Sequence, residues 1–240
     1  MSFSSDLKTE LSKLNNLKNK QEVLAEFLGY MGTGNINIEG KRVKFSTENE
    51  YNINRFAKLL NNLNITNYKI ELTGGKTFVI TFNEKEINAL ESKIETENLK
   101  KAYIRGNFLG AGSINNPESK YHLEVIYVSN EKAKYAQNIL KEYNITAKVL
   151  EKENPSLYIK DGEEISKFLA FIGANKAVIQ FEEIRVLRET KNNVNRLVNC
   201  ETANMNKVIN TSVKQISDIK KLKKTGKFNS LPEDLKEIAV

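Results

Sequence analysis

Residues 103–113 read Tyr103-Ile-Arg-Gly-Asn-Phe-Leu-Gly-Ala-Gly-Ser113, and residues 27–34 read Phe27-Leu-Gly-Tyr-Met-Gly-Thr-Gly34. In each stretch, large apolar residues at helical spacing run into a cluster of small ones. Two helix backbones approach closely only where the touching residues lack a bulky side chain, so Gly29, Gly32, Gly106 and Gly110 are candidates for a helix–helix contact. Taken singly, each cluster also reads as a helix C-cap followed by a tight turn. What favours the contact is that the two clusters stand at equivalent places in a repeat.

The repeat emerges on either side of these stretches. Leu7, Leu11 and Leu14 mark a helix that Ser5 or Asp6 can cap, and Val23, Leu24, Phe27, Leu28 and Met31 mark a second. Ile36-x-Ile38 and Val43-x-Phe45 flank Glu39-Gly40 as a hairpin, and Phe56 to Leu63 is helical. Tyr68-x-Ile70-x-Leu72 and Phe78-x-Ile80-x-Phe82 flank Gly74-Gly75 as a second hairpin, with a short helix around Glu84 to Leu90. The order αββαββα recurs after Tyr103: strands near 113–115 and 122–128, a helix from Ala133 to Tyr143, strands at 147–150 and 157–160, and a helix from Ile165 to Phe171. Gly34 and Gly112 differ by 78 positions, Phe78-Val-Ile80 and Leu157-Tyr-Ile159 by 79, and Asn64-Ile-Thr66 and Asn144-Ile-Thr146 by 80. Three landmarks in one order indicate a tandem duplication, each half an antiparallel sheet with helices on one face: an α+β, pseudo-twofold fold.

The 240 residues hold 37 Lys/Arg against 30 Asp/Glu, and a 40% hydrophobic content that argues against global disorder. No apolar run approaches the roughly 20 residues that span a membrane, and Met1-Ser-Phe-Ser-Ser-Asp6 has no basic segment leading into an apolar one. The expected compartment is the cytoplasm, with no membrane partner. One Cys and one His exclude a disulfide framework, and neither Cys200 nor His122 has a partner for a metal site, so no metal and no cofactor is expected. Charge is uneven: residues 185–240 carry 12 Lys/Arg and 6 Asp/Glu, the rest 25 and 24. A basic C-terminal quarter suggests a polyanionic partner, and the plain alternative is a lysine-rich solvated surface.

The two glycine-bearing helices resemble those of the LAGLIDADG homing endonucleases, in which one such helix from each αββαββ half packs through small residues. The resemblance implies a divalent-metal-binding acid at the end of each helix. Here Ala111 stands at one acid position and Thr33 or Gly34 at the other, and Asn35, Asn107 and Ser113 nearby are neutral. The resemblance therefore implies a scaffold without catalytic residues.

A wider resemblance, over essentially the whole chain, is to the WhiA family of bacterial transcription regulators. It rests on Phe181-Glu-Glu-Ile-Arg-Val-Leu-Arg188, Asn193-Val-Asn-Arg-Leu-Val-Asn-Cys-Glu-Thr-Ala-Asn-Met-Asn-Lys207, Gln215-Ile-Ser-Asp-Ile219 and Leu231-Pro-Glu-Asp-Leu-Lys-Glu-Ile-Ala239, with Ser2 to Leu11 and Tyr158 to Gly162. It implies an N-terminal helix (1–20), a degenerate LAGLIDADG-like domain (21–180, halves about 21–93 and 98–172), a helical linker (181–224) and the start of a helix-turn-helix (225–240). On this reading the chain stops within the first helix of that module, without a recognition helix to read a major groove. The implied biology is nucleoid-associated transcription control in cell division, chromosome segregation and sporulation, with promoter DNA as partner and protein partners on the LAGLIDADG-like domain.

The DNA-binding candidates are Lys220, Lys221, Lys223 and Lys224, a run suited to phosphates, with Arg196 and Lys207 upstream. Arg42, Lys44, Lys69, Lys148 and Lys160 lie on the polar faces of hairpins, where Glu39, Glu71 and Glu124 dilute them and a plain wet sheet face is the stronger reading. Asn199 and Thr202 are expected to cap and break the helical region. An active metal-dependent endonuclease and a protein-only adaptor are the alternatives.

Overall fold

Helix α1 (Phe3–Ser12) starts a turn earlier than expected. Ser2, not Ser5 or Asp6, holds the extended cap conformation, and its hydroxyl accepts from Ser5 N at 3.2 Å. The other caps are of the same short polar kind: Asn19 on α2 (Lys20–Met31), Asn49 on α3 (Glu50–Asn62), Thr96 on α4 (Glu97–Ala111), Ser129 on α5 (Asn130–Glu142) and Asp161 on α6 (Gly162–Ile172). Each carries an oxygen that satisfies an amide the helix cannot. The computed structural model describes residues 2–83, 85 and 93–238. The short helix expected around Glu84 to Leu90 lies outside the described residues.

Two four-stranded antiparallel sheets carry the duplication. One contains β1 (Ile36–Glu39), β2 (Arg42–Thr47), β3 (Tyr68–Thr73) and β4 (Thr77–Asn83) in the order β1-β2-β4-β3. The other contains β5 (Gly112–Ile114), β6 (Leu123–Ile126), β7 (Lys148–Leu150) and β8 (Ser156–Ile159) in the matching order β5-β6-β8-β7. The register repeats as well: Val43 faces Phe82 and Phe45 faces Ile80, as Leu123 faces Ile159 and Val125 faces Leu157. All eight are buried, because alternation sends them to the helix-covered face. In the first half, Phe27, Tyr30, Phe45, Phe56 and Phe82 form one aromatic cluster with centroids 4.7–6.2 Å apart.

The repeated tripeptide Asn-Ile-Thr has a local cause. Asn64 and Asn144 follow α3 and α5 and have φ of 63° and 56°. Asn tolerates this left-handed conformation better than other non-glycine residues. The next amides, Ile65 N and Ile145 N, then reach back to Leu60 O and Leu140 O at 2.9 and 3.0 Å. Both helices therefore end in the same way, and Ile65 and Ile145 turn into the core.

The chain falls into two units, residues 1–185 and 186–240. Helix α7 (Asn175–Lys224) begins in the first, where Ala177 and Phe181 are buried and Phe181 meets the rings of Phe3 and Tyr121 at 6.3 and 5.5 Å. Its first amides, Lys176 N and Ala177 N, donate to the two carboxylate oxygens of Glu10 at 2.8 and 3.0 Å. The break expected at Asn199 to Thr202 does not occur; both residues are interior to α7. Asn is less favourable than Ala in a helix by only about 0.7 kcal/mol, and no Gly or Pro falls between residues 175 and 224. The helix stops at Gly226, whose φ of 72° a side chain would resist. A 3-10 turn (Lys227–Ser230) and α8 (Glu233–Ile238) follow.

Candidate functional site

Helices α2 and α4 cross through their glycines. A Cβ built on Gly29 would lie 2.2 Å from Tyr103 O, and one on Gly106 would lie 2.1 Å from Glu26 O and 3.1 Å from the Gly29 Cα. One turn on, a Cβ on Gly110 would lie 2.4 Å from Thr33 Oγ1. Gly32 is different: its nearest neighbours are at 3.5 Å, ordinary contact distance, so the expectation that it belongs to the close approach is corrected. Gly29 meets Gly106 and Thr33 meets Gly110, and both pairs are 77 positions apart. That offset makes Gly34, not Thr33, the counterpart of Ala111.

The ends of these helices expose carbonyl oxygens, and amide side chains occupy them. Asn107 Nδ2 donates to Gly29 O at 2.8 Å, Asn35 Nδ2 to Gly110 O at 2.8 Å, and Asn52 Nδ2 to Leu109 O at 2.7 Å. Tyrosines orient two of the amides: Tyr30 OH donates to Asn52 Oδ1 at 2.6 Å and Tyr127 OH to Asn107 Oδ1 at 3.1 Å. Burial pushes both phenols well above their ordinary range, so they remain donors. A hard divalent cation takes oxygen ligands, with at least one carboxylate to balance its charge in the usual protein site. Ala111 and Gly34 supply none, and the carbonyls beside them already accept from N–H groups. Among the described residues no three His, Cys, Asp or Glu side chains are grouped to hold a metal ion. The donor set does not fit a divalent ion.

Beneath the crossing lies a charge cluster that sequence reading missed. Glu26 and Arg55 are each 1% exposed and Arg105 6%. Arg55 donates Nε to Glu26 Oε1 and Nη2 to Oε2, the second at 2.8 Å, and Arg105 Nε reaches Oε2 at 3.0 Å. Their remaining N–H groups bond Leu14 O at 3.0 Å, Asn16 Oδ1 at 2.6 Å and Ile172 O at 3.2 Å. Burial raises the Glu26 pKa, but the hydrogen bond and charge of Arg55 and the charge of Arg105 outweigh it and hold the carboxyl below its ordinary value. The cluster ties α2 to α3 and α4.

The cationic candidates separate into two sets. On the sheets, Lys44 pairs with Glu39 at 2.6 Å, Lys69 pairs with Glu71, and Lys160 lies 5.0 Å above the Tyr158 ring; Arg42 and Lys148 are exposed. On α7, continuity of the helix aligns what the sequence scatters. At 100° per residue, Arg196, Lys207, Lys214 and Lys221 share one side, next to Asn192, Asn199 and Asn210. All seven are exposed. Lys221 is 3.8 Å from Asp218, whereas Arg196, Lys207 and Lys214 have no ion-pair partner among the described residues. Lys220, Lys223 and Lys224 fan away from this stripe, with Lys223 4.9 Å above the Phe228 ring. Lys214 escaped the sequence reading, although its spacing of seven from both Lys207 and Lys221 signalled it.

Two family models match the chain: the WhiA LAGLIDADG-like domain over residues 100–191 and the WhiA C-terminal HTH domain over residues 194–240. A "Probable cell division protein WhiA" from Clostridium beijerinckii is 36% identical over the whole of this chain and 86% of its own length. Among solved structures, full-length DUF199/WhiA from Thermatoga maritima matches with a TM-score of 0.73 and 27% identity, over 100% of this chain and 85% of that one. The N-terminal LAGLIDADG domain of DUF199/WhiA matches with a TM-score of 0.61 and 27% identity, over 72% and 92%.

Proposed function

The chain belongs to the WhiA family, and from that premise we propose that it is a DNA-binding regulator of cell division whose LAGLIDADG-like unit does not cleave DNA. The observation that carries the reading is the stripe of Arg196, Lys207, Lys214 and Lys221 on an exposed polar face of α7, within the segment matched by the WhiA HTH domain model. Such a face meets phosphates and positions the chain on a duplex; it does not read bases. The exposed Asn residues beside it can donate to phosphate or sugar oxygens. On the sheets, carboxylates neutralise Lys44 and Lys69, which leaves Arg42, Lys148 and Lys160 as a secondary contact. Promoter control in chromosome segregation and sporulation, and association with the nucleoid, belong to the same reading.

The absence of cleavage is supported by Ala111 at the end of α4, by Gly34 just beyond α2, and by asparagine amides on nearby carbonyls. The test of DNA binding is anisotropy of a labelled duplex across a salt series. Four phosphate contacts give a log–log slope of about −3.6, or roughly 150-fold weaker binding at 200 mM than at 50 mM salt. Replacing all four residues with Ala removes most of that slope. Undetectable binding at low salt would instead favour a protein-only adaptor. Supercoiled plasmid with magnesium or manganese should remain unnicked; metal-dependent nicking abolished by mutating a single acid would establish an endonuclease.

A further inference from the structure

Between the first turns of α1, the end of β2 and the start of β4 lies a cavity of about 480 Å³ whose described lining residues are all polar. It belongs wholly to the first unit. One side chain in it is electrically out of balance. Lys8 is half-buried, and its ammonium has neither an ion pair nor a hydrogen bond among the described residues. Burial pushes its pKa below the ordinary lysine value, and no carboxylate lies close enough to offset that. An ammonium withdrawn from water without a counter-charge is costly, and an anion in the cavity relieves the cost.

The hydroxyls around Lys8 are arranged as donors. Ser2 Oγ accepts from Ser5 N at 3.2 Å, Ser4 Oγ from Ile114 N at 3.4 Å, and Ser5 Oγ from Asn49 Nδ2 at 3.5 Å. Thr47 Oγ1 accepts from Asn49 N at 3.3 Å and from Asn52 Nδ2 at 3.4 Å. Each oxygen is thus committed as an acceptor, and its own hydrogen has no acceptor among the described residues. Ser46 and Thr77, on the strand wall, make no side-chain hydrogen bond among those residues either. Glu48, exposed, is the single carboxylate in the described lining. A metal ion would meet an ammonium and only that carboxylate. A nucleobase would find no aromatic ring to stack on.

We propose that this cavity binds a small phosphate ester carrying free hydroxyl groups, the chemistry of a sugar phosphate. Lys8 supplies the charge for the phosphoryl oxygens, the serine and threonine hydroxyls donate to them, and Glu48 accepts from the hydroxyls of the ester. The volume falls within the range of small-molecule sites, about 300–1,000 Å³. A DNA backbone offers phosphate without such hydroxyls, and its dense negative charge is opposed by Glu48. The cavity shares no residue with the α7 stripe, so it stands independently of the DNA reading.

The test is calorimetric titration and thermal shift of the full chain in phosphate-free buffer. Ribose-5-phosphate or glucose-6-phosphate should bind with a Kd of about 0.1 mM or tighter, at least about tenfold better than inorganic phosphate or glucose. Lys8→Met should weaken the ester about tenfold or more and Thr77→Val about three- to tenfold, while Lys58→Met, exposed on α3, should bind as the parent does. Without ligand, Lys8→Met should melt no lower than the parent, because the ammonium it removes is unpaired; with ester, only the parent's Tm should rise. No binding of either ester up to about 10 mM, or parent-like binding by both Lys8→Met and Thr77→Val, would overturn the proposal. Inorganic phosphate binding as well as the esters would overturn the assignment of the ester, and displacement of the ester by equimolar duplex DNA would make the cavity a backbone contact instead.

Discussion

Glu26→Gln tests the fold at its most heavily charged buried point. The amide keeps the volume of the carboxyl but directs an N–H at guanidinium groups that are themselves donors. Arg55 donates to both oxygens of Glu26 and Arg105 to one, so at least one charge-assisted bond is replaced by two opposed donors. Breaking a buried ion pair from one side leaves a stranded charge at about 3–5 kcal/mol. For a unit of this size that is a fall in Tm of roughly 6–20 °C. The assay is thermal unfolding of parent and variant between pH 7 and pH 3. The parent's carboxyl is depressed below its ordinary value of 4.5 in the fold, so its contribution is fully present above that value and is lost as pH falls through the folded pKa. The gap between parent and variant should therefore be constant near neutrality and close in acid. Replacing all three charged residues with apolar ones of similar size should recover much of the loss, because no charge is then stranded. A variant melting within about 2 °C of the parent at pH 7 would refute the assignment of this cluster as a structural tie.

Gly106→Ala should destabilise the first unit by about 1–3 kcal/mol, since its methyl would meet Glu26 O at 2.1 Å, whereas Gly32→Ala, with nothing nearer than 3.5 Å, should melt close to the parent. Glu10→Ala removes the acceptor for Lys176 N and Ala177 N; about 1 kcal/mol should be lost, with faster hydrogen exchange at those two amides. Asn144→Ala, at a φ of 56°, should lower stability by about 1 kcal/mol in a denaturant titration, while Asn144→Gly should be nearly neutral.

Local physics made much of the fold legible before any coordinates. Alternation exposed both pairs of hairpins, and the Asn-Ile-Thr repeat marked two identical helix ends. Glycines at matched places signalled the helix crossing, though not that Gly32 stands clear of it. The continuity of α7 is also local information: its interior has no Gly or Pro, and Asn199 and Thr202 are too weak as breakers to interrupt it.

By itself, then, the amino-acid order determined the duplication, the paired hairpins and the basic character of the C-terminal quarter, because each depends on neighbours within a turn or a strand. Tertiary structure alone decided that Gly34 is the counterpart of Ala111, that Asn35, Asn52 and Asn107 donate to helix-end carbonyls, and that Glu26 binds Arg55 and Arg105. These partners are 29 to 79 positions apart. Their meeting depends on how two helices and two sheets close around a common core, and no local spacing encodes that closure.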